Sequence, residues 1–265
     1  MTRKIIVAGV DIGSTTSKAV LIEDQKIISR RIISTGAESI KAADRIINEA
    51  LNDARILIKD VKYIVATGYG RVIVPYADET VTELSCHAKG ATWLFPSVKT
   101  ILDMGGQDCK AIRCDEKGNL QNFMMNDKCA AGTGRFLELM ARIIGLSLDD
   151  LGALSFGAEK EAKINSTCAV FAKTEITTLI REGHEIREVV AGLNSAVSAR
   201  VYSLLRGVGV APEFMITGGI GKNVGIVRKI EERVGLKAII PEEPQIVGAL
   251  GAALIAHDRL SLATL

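Results

Sequence analysis

The sequence predicts an α/β fold in which one folding unit occurs twice. Two short stretches, 11–19 and 103–111, repeat the same aspartate, glycine, lysine and alanine at identical spacing. Each stretch follows a short apolar run and precedes a second apolar run, a polar turn and a third run, which is the pattern of strand, tight turn, strand, turn and strand. The repeated pairs are Asp11 with Asp103, Gly13 with Gly105, Lys18 with Lys110, and Ala19 with Ala111.

The bulk composition is that of a soluble globular chain long enough for two domains. The protein has 265 residues, of which 48% are hydrophobic and 24% are charged, as in ordinary globular proteins. The formal net charge of +2 is too small to indicate a nucleic-acid or membrane-surface partner. The apolar run before Asp11 is too short for an export signal, and the run 246–256 is too short for a membrane span. We therefore expect a cytoplasmic protein.

The first domain is expected to occupy residues 1–95. After its three strands, apolar residues at helical spacing predict an amphipathic helix over 39–55. The Thr-Val-Thr-Glu pattern from Thr80 predicts a capping box that opens a helix through about Trp93. The remaining elements of this domain are a strand over 61–67 and the C-terminal helix 244–265, which completes it.

The second domain is expected over 96–243 and carries an insertion, 126–183, between its third strand and a long helix. The pattern of apolar residues defines the elements. They are helices over 135–144 and 167–182 and a short segment from Ser147 inside the insertion, the long helix over 186–207, strands over 214–217 and 237–240 with a helix between them, and the glycine-rich turn 218–223.

Two of the expected helices carry runs of small residues. Small side chains let two helices approach closely, so these runs indicate either simple close packing or a hinge between the domains, and the sequence favours neither. The residues are Ala88, Gly90 and Ala91 in one helix, and Gly248, Ala249, Gly251, Ala252 and Ala253 in the other.

The repeated Asp-x-Gly turns have the chemistry of a phosphate site. A strand that ends in an aspartate and turns through glycine places a carboxylate beside backbone N–H groups that a phosphate oxygen can reach. Two such turns can hold a polyphosphate with its Mg²⁺, which prefers one or two carboxylates together with water and phosphate oxygens. A single copy is more often an ordinary hairpin turn, but an ordinary hairpin has no reason to recur with the same aspartate, glycine and lysine.

Five cysteines with no Cys-x-x-Cys pair argue against a disulfide framework and against a metal site built by one chain. Cys129 precedes a Gly-Thr-Gly turn and a predicted helix, and Cys168 is expected just inside a helix capped by Ser166 or Thr167. A thiol at a helix N-terminus readily becomes a thiolate, whereas the alternative for each cysteine is a small buried hydrophobic residue. We expect the buried alternative for Cys86, Cys109 and Cys114.

Two ribonuclease-H-like units with phosphate turns at their first hairpins resemble the superfamily of sugar and acetate kinases, actin and the heat-shock chaperone ATPases. In that superfamily ATP lies in the cleft between the duplicated domains, and a Gly-Gly turn after a late strand holds the adenosine. A closer resemblance, over essentially the whole chain, is to the activator ATPases of 2-hydroxyacyl-CoA dehydratases, which group with the ATPase subunits of benzoyl-CoA reductase. It is carried by 10–18, 66–71, 83–88, 103–110, 125–138, 166–172 and 248–253.

The resemblance implies a homodimer with one [4Fe–4S] cluster at its two-fold axis. Each chain would supply two thiolates, which by motif are Cys129 and Cys168, and symmetry would supply the other two. The implied activity is the transfer of an electron from ferredoxin or flavodoxin to a 2-hydroxyacyl-CoA dehydratase, driven by ATP hydrolysis. The sequence does not identify the acyl-CoA, since that choice belongs to the dehydratase.

The same resemblance distributes the roles of the site residues. Asp11 and Asp103 are assigned to Mg²⁺ and to positioning of the attacking water, for which Gln107 is the other candidate. Gly218 and Gly219 are assigned to the adenosine. The phosphate-binding and cofactor-binding set is Gly13, Ser14, Thr15, Thr16, Ser17, Lys18, Gly105, Gly106, Gly132, Thr133 and Gly134.

Two rival interpretations stay open. A small-molecule kinase of the same superfamily would use the same turns to phosphorylate an acid or a sugar. A non-enzymatic, actin-like nucleotide switch would use them to control assembly. The presence of iron and sulfide in the purified protein would distinguish the activator from both.

Overall fold

A computed structural model describes residues 5–164 and 168–263. The chain divides into two compact units: the first comprises residues up to 99, 114–121 and those from 245 onward, and the second comprises 100–113 and 122–244. Within the described ranges no helix is both long enough and apolar enough to cross a membrane. The α-helices of those ranges are α1 (Ser39–Ala54), α2 (Glu83–Leu94), α3 (Gly134–Ile144), α4 (Leu148–Leu154), α5 (Ala169–Arg181), α6 (Ile186–Val208), α7 (Val224–Val234) and α8 (Val247–Ala263).

The first unit is built on a five-stranded mixed sheet in the order β3-β2-β1-β4-β5. Strand β1 runs antiparallel to β2 and parallel to β4. Successive side chains of a strand point to opposite faces, so Val7 joins one core while Ala8 and Val10 join another. The strands are β1 (Ile6–Ile12), β2 (Thr16–Glu23), β3 (Lys26–Ser34), β4 (Val61–Thr67) and β5 (Glu79–Thr80).

Helices cover both faces of this sheet. Helix α1 buries Ala43, Ile46 and Ile47 against the face that carries Val10. Helix α8 covers the opposite face, where its Leu250 packs with Val7 of β1, and α2 packs against α8. Each fully buried leucine or isoleucine contributes about 1.5–3 kcal/mol of transfer free energy, so the two cores together position β1 firmly.

The small residues of α2 and α8 serve close packing, as one of the two interpretations predicted. A Cβ on Gly251 would lie 1.7 Å from the carbonyl oxygen of Cys86, and a Cβ on Gly90 would lie 2.3 Å from the carbonyl oxygen of Val247. Only glycine fits at either position, because a backbone carbonyl occupies the space. Both helices belong to the first unit, and the hinge interpretation stays a prediction.

The second unit repeats the sheet of the first. Its order is β10-β9-β6-β7-β8, and β6 runs antiparallel to β7 and parallel to β9. Matching β6 through β10 to β1 through β5 therefore gives the same neighbours, and the predicted α/β fold with duplicated, actin-like or hexokinase-type domains is confirmed. These strands are β6 (Thr100–Met104), β7 (Cys109–Cys114), β8 (Leu120–Asn126), β9 (Phe214–Gly218) and β10 (Ala238–Ile239).

The helices of the second unit share one core with its sheet. Phe136 and Met140 of α3 pack with Leu193 and Val197 of the long helix α6 and with Ile216 of β9. The predicted insertion therefore contributes to the main core, because α3 turns its apolar side inward. This packing fixes the start of α3 relative to the sheet.

Two predicted boundaries are wrong, each for a local reason. Thr80 does not cap α2, because it still pairs with Ala66 in the sheet; Thr82 is the N-cap, and its hydroxyl accepts a hydrogen bond from the Ser85 N–H. The last helix begins at Val247 and not at Pro244.

Candidate functional site

The first Asp-x-Gly turn lies between β1 and β2. Asp11 and Lys18 are paired across the two strands, and the Lys18 Nζ donates to Asp11 Oδ2 at 3.0 Å. The turn is closed by a hydrogen bond from the Gly13 N–H to the Thr16 carbonyl at 3.1 Å. The Asp11 carboxylate is therefore paired with the Lys18 ammonium, and a backbone hydrogen bond closes the turn that follows Asp11.

A threonine at the end of β3 braces this turn. The Thr35 hydroxyl donates to the Gly13 carbonyl at 2.8 Å and lies 2.9 Å from the Ser17 hydroxyl, while its N–H donates to the Thr15 carbonyl. The Thr15 hydroxyl is buried and has no hydrogen-bond partner within the described part of the chain. A buried hydroxyl normally has a partner, so a ligand oxygen at the turn would satisfy it.

The end of β4 adds a Thr-Gly step beside Asp11. Thr67 pairs with Asp11 across the sheet, and Gly68 follows with a φ of +85°. A Cβ on Gly68 would lie 2.3 Å from Asp11 Oδ1. The glycine is required both by its left-handed backbone and by the carboxylate, so β4 leaves room for Asp11 at the strand end.

A histidine of α2 approaches the same carboxylate. His87 is buried, and its Nε2 lies 3.0 Å from the point where a Cβ of Gly248 would stand, while Asp11 Oδ2 lies 3.4 Å from that point. The absence of a side chain at Gly248 thus opens a space bordered by an imidazole and a carboxylate. His87 was not among the predicted site residues.

The second Asp-x-Gly turn lies between β6 and β7, and its lysine pairs with two carboxylates where the lysine of the first turn pairs with one. Asp103 and Lys110 are paired across the strands, and the Lys110 Nζ lies 3.6 Å from Asp103 Oδ2 and 2.8 Å from Asp108 Oδ2. The Lys110 side chain is only 1% exposed. The turn is closed by the bond from the Gly105 N–H to the Asp108 carbonyl at 3.0 Å, which is the counterpart of the Gly13 bond.

The end of β9 repeats the Thr-Gly step of β4. Thr217 pairs with Asp103 across the sheet, and its hydroxyl donates to Asp103 Oδ1 at 2.9 Å. Gly218 has a φ of +78°, and its N–H donates to the Pro244 carbonyl. Gly219 opens the short 3₁₀ turn Gly219–Lys222. Gly218 and Gly219, which are assigned to the adenosine, therefore directly follow Thr217, the residue whose hydroxyl donates to Asp103.

The structure brings most of the predicted phosphate residues to the two turns and adds others. Gly13 through Lys18 line the first turn, and Gly105 and Gly106 form the second, with Gln107 exposed at its tip. The additional residues are Thr67, Gly68, His87, Asp108, Thr217 and Gly248. The repeated Thr-Gly after an apolar run was the sequence signal that could have identified Thr67 and Thr217 as a pair.

The Gly-Thr-Gly block joins the second turn. The Gly134 N–H donates to the Gly105 carbonyl at 3.0 Å, and the Arg135 N–H donates to the Gly106 carbonyl at 2.8 Å. Gly132 has a φ of +88°, and Thr133 is fully buried with its hydroxyl on the Ala130 carbonyl at 2.6 Å. Because the N–H groups of Gly134 and Arg135 donate to carbonyls of the second turn, the Gly-Thr-Gly block stabilises that turn.

The two cysteines with a predicted cluster role are the half-buried ones. Cys129 and Cys168 are partly exposed, whereas the other three are buried. Cys129 precedes the Gly-Thr-Gly turn and α3 in the order that the sequence predicted. Residues 130–133 separate it from α3, so its thiol does not lie at the N-terminus of that helix. Cys168 is the N-cap residue of α5 and not its first helical residue. The predicted caps Ser166 and Thr167 lie outside the described residues.

The prediction that Cys86, Cys109 and Cys114 are buried is confirmed. Burial raises the pKa of the Cys86 thiol to about 12 and raises the pKa of the Cys109 thiol well above its usual range. Both groups are neutral thiols at any physiological pH. No group of three or more potential metal-ligating side chains occurs among residues 5–164 and 168–263.

Comparisons with known proteins agree with this arrangement. The chain is 42% identical over 252 residues to the 2-hydroxyisocaproyl-CoA dehydratase activator of Clostridioides difficile, covering 95% of this chain and 94% of the relative. It is 42% identical over 251 residues to the activator of lactoyl-CoA dehydratase of Anaerotignum propionicum, covering 94% and 96%. The solved activator of the 2-hydroxyisocaproyl-CoA dehydratase from Clostridium difficile, with bound ADPNP, superposes with a TM-score of 0.93 at 41% identity, covering 98% of this chain and 97% of that structure.

The family model agrees with these relatives and spans nearly the same part of the chain. The model of the BadF/BadG/BcrA/BcrD ATPase family matches residues 8–256, a stretch that includes both Asp-x-Gly turns, both Thr-Gly steps and the insertion with its two cysteines. The chain therefore belongs to the BadF/BadG/BcrA/BcrD ATPase family.

Proposed function

We propose that this ATPase activates a 2-hydroxyacyl-CoA dehydratase by ATP-driven transfer of one electron. The observation that carries the proposal is the difference in burial among the cysteines. Three are buried, and the two that are half-buried both lie in the insertion 126–183. Neither a kinase nor a nucleotide switch requires such a pair. Relatives named as dehydratase activators match over 94–95% of the chain, which supports the same function.

The residues of the turns fit a nucleotide with Mg²⁺. The first turn offers backbone N–H groups and the unpartnered, buried Thr15 hydroxyl, which suits a phosphate oxygen. Asp11 and Asp103 stand at strand ends, and carboxylates are the ligands that Mg²⁺ takes together with phosphate oxygens. We assign phosphate binding to turns of both units and the adenosine to Gly218 and Gly219.

The donor set of the insertion fits a shared [4Fe–4S] cluster. Such a cluster requires four thiolates, and one chain offers two partly exposed, unbridged cysteines, Cys129 and Cys168. Two copies related by a two-fold axis would supply four. When bound, such a cluster would supply a one-electron redox centre. The chain's part is to hold the two thiolates and to shield them.

The catalytic work of this chain is positioning and charge compensation. Asp11 and Asp103 orient the attacking water and the cation, and Gln107, exposed at the tip of its turn, is the other candidate for orienting the water. Lys18 and Lys110 hold both carboxylates in place through cross-strand ion pairs. The negative charge that develops on the phosphates meets fixed N–H dipoles, which cost no reorganisation during the reaction.

The proposed partners follow from the electron's route. A ferredoxin or flavodoxin delivers a low-potential electron to the homodimer, and ATP hydrolysis drives that electron onto the dehydratase. The two named relatives act with different acyl-CoA dehydratases. The identity of the acyl-CoA therefore resides in the partner.

Hydrolysis can drive the electron only if nucleotide and cluster influence each other. Linkage requires that a nucleotide which shifts the reduction equilibrium is itself bound with a different affinity by the two redox states, by the same factor. We expect ATP to expose more of the cluster toward the dehydratase. The reduction potential and the rate of iron chelation should therefore differ between the nucleotide-free, ADP and ATP states.

Anaerobic purification tests the proposal directly. A brown dimer that contains iron and sulfide, hydrolyses ATP and activates a dehydratase purified in its inactive state is the expected result. A colourless protein that phosphorylates an acid or a sugar would establish the kinase, and nucleotide-dependent filaments would establish the switch. Equal potentials and equal chelation rates in all three nucleotide states would overturn the coupling.

A further inference from the structure

The start of α3 is capped by the second Asp-x-Gly turn. The first N–H groups of any α-helix lack partners within the helix. In α3 the Gly134 N–H donates to the Gly105 carbonyl at 3.0 Å and the Arg135 N–H to the Gly106 carbonyl at 2.8 Å. A loop distant in the sequence thus replaces the usual side-chain cap, since the N-cap residue Thr133 makes no side-chain capping bond.

Further hydrogen bonds tie Cys129 to the same helix start. The Asn126 Nδ2 donates to the Cys129 carbonyl at 2.9 Å and to the Ala131 carbonyl at 3.2 Å. The Thr133 N–H and hydroxyl both donate to the Ala130 carbonyl. The backbone from Cys129 to the start of α3 is therefore one bonded segment with little freedom to move by itself.

The planar peptide bond links the two sides of the turn. The Gly105 carbonyl and the Gly106 N–H belong to one rigid peptide plane, as do the Gly106 carbonyl and the Gln107 N–H. A phosphate oxygen that accepts from either N–H rotates or locks the whole plane. The carbonyl at the opposite edge of that plane is bonded to α3, so the helix start must follow.

We propose that these two peptide planes carry the state of the bound nucleotide to Cys129, with Gly134 and Arg135 as positioning residues that act through their backbone N–H groups. The inference rests on the proposed function, because it uses the assignment of phosphate binding to Gly105 and Gly106. The first turn is bonded differently: its Gly13 carbonyl accepts from the hydroxyl of Thr35, just after β3, and the Ile12 carbonyl before it accepts from the Gly70 N–H. Neither donor belongs to an α-helix.

Two variants of one residue separate the backbone bond from the side chain. Arg135→Pro deletes the N–H that bonds Gly106, and proline is tolerated in the first turn of a helix. Arg135→Ala keeps that N–H and removes only the ion pair with Glu138. The readouts are hydrogen exchange of the amides in 129–137 and the rate of iron chelation, each measured anaerobically on the protein as isolated, with and without MgADPNP.

The expected result is a response in the wild type and Arg135→Ala, but a weakened one in Arg135→Pro. MgADPNP should slow exchange and change the chelation rate by about fivefold, which lies in the usual range of coupling between sites. Loss of one backbone hydrogen bond is worth about a factor of five, so Arg135→Pro should retain little of the response. An equal response in Arg135→Pro and Arg135→Ala would overturn the inference.

A second variant covers the case in which Arg135→Pro does not fold. In Gly134→Ala the new Cβ would stand 3.2 Å from the Gly105 carbonyl oxygen and 3.3 Å from the Gly106 Cα, which pushes the turn away from α3. The control Gly157→Ala meets only an ordinary contact at 3.5 Å. Gly134→Ala should lose the response and Gly157→Ala should keep it; a full response in Gly134→Ala overturns the inference.

Nucleotide binding is measured separately by equilibrium dialysis. It distinguishes failure of this inference from failure of the proposed function. If the wild type binds MgADPNP and 129–137 does not respond, this inference fails while the proposed function stands. If the wild type binds no nucleotide, the proposed function fails and the inference fails with it.

Discussion

The two Asp-x-Gly turns share one arrangement of residues and differ in the burial and the ion pairs of their lysines. Each has an aspartate at a strand end, a lysine across from it and a Thr-Gly step on the neighbouring parallel strand. In the first turn the Lys18 side chain is 12% exposed and pairs with one carboxylate. In the second, Lys110 is 1% exposed and pairs with Asp103 and Asp108. The lysine of the second turn is therefore both more deeply buried and paired with more carboxylates than the lysine of the first.

The difference has an electrostatic consequence. In the first turn the Lys18 ammonium pairs with one carboxylate, whereas in the second the buried Lys110 ammonium pairs with two, of which Asp103 is 7% and Asp108 20% exposed. An unpaired charge there is expensive, so each member of the second set depends on the others. The second turn is also a structural junction, because its Gly105 and Gly106 carbonyls accept from the first N–H groups of α3.

The cysteines Cys129 and Cys168 give the largest expected effect, and both lie in the insertion of the second unit. Cys129→Ala or Cys168→Ala should abolish cluster binding, since each removes two of the four thiolates of a dimer. Cys109→Ala should retain the cluster, because that thiol is buried with a raised pKa. Iron and sulfide content of the purified dimer checks this. Full content in either of the first two variants would refute the ligand assignment.

The two aspartates give the next largest effect. Asp11→Asn and Asp103→Asn should each lower the rate of ATP hydrolysis by at least about 100-fold, the typical loss when a preorganised electrostatic group is removed. Cluster content should stay unchanged, since neither residue is a thiolate ligand. Steady-state phosphate release and iron content are the measurements, and hydrolysis at the wild-type rate in either variant would refute its role.

The lysines test the comparison through stability. Lys110→Met removes the buried ammonium that pairs with Asp103 and Asp108, and loss of one partner of a buried ion pair should cost about 4 kcal/mol of unfolding free energy. Lys18→Met breaks one charge-assisted hydrogen bond and should cost about 2 kcal/mol. Shifts in the urea midpoint of the nucleotide-free protein compare the two. Equal losses would show that the second turn is no more structural than the first.

The threonines give the smallest effect. The Thr217 hydroxyl donates to buried Asp103, so Thr217→Val should cost about 1.5 kcal/mol. The Thr67 hydroxyl donates to no carboxylate within the described residues and lies beside the Cys86 thiol, so Thr67→Val should change stability by less than about 0.5 kcal/mol. Thermal unfolding of the pair provides the measurement, and a larger loss in Thr67→Val would contradict the comparison.

The sequence was sufficient for the parts of the molecule that repeat. The spacing of Asp11, Gly13 and Lys18 against their counterparts predicted both first hairpins, and the cross-strand registers Asp11 to Lys18 and Asp103 to Lys110 follow from the shared turn. Helix α1 and strand β4 were equally predictable, because periodicity alone defines them.

Other features required three-dimensional information. Asp108 was missed because its counterpart in the first copy is Thr16, so the repeat gave no signal. Thr67 and Thr217 were missed for another reason: their repeated Thr-Gly step is visible in the sequence, but the insertion lengthens one copy and changes its spacing. The bonds from α3 to Gly105 and Gly106 join backbone groups, which leave no trace in side-chain patterns. Thr80 was a false cap because sheet pairing outweighed a local motif.

The close crossing of α2 and α8 has a consequence for the order of events during synthesis. Helix α8 covers one face of the first sheet, yet the ribosome makes it only after the entire second unit. Until then Val7, Val20 and Ile22 face water on that side, and exposed apolar strands are prone to wrong pairing. The half of the molecule that emerges first is therefore finished last, and a chaperone that shields this face would shorten the interval in which nascent chains can aggregate.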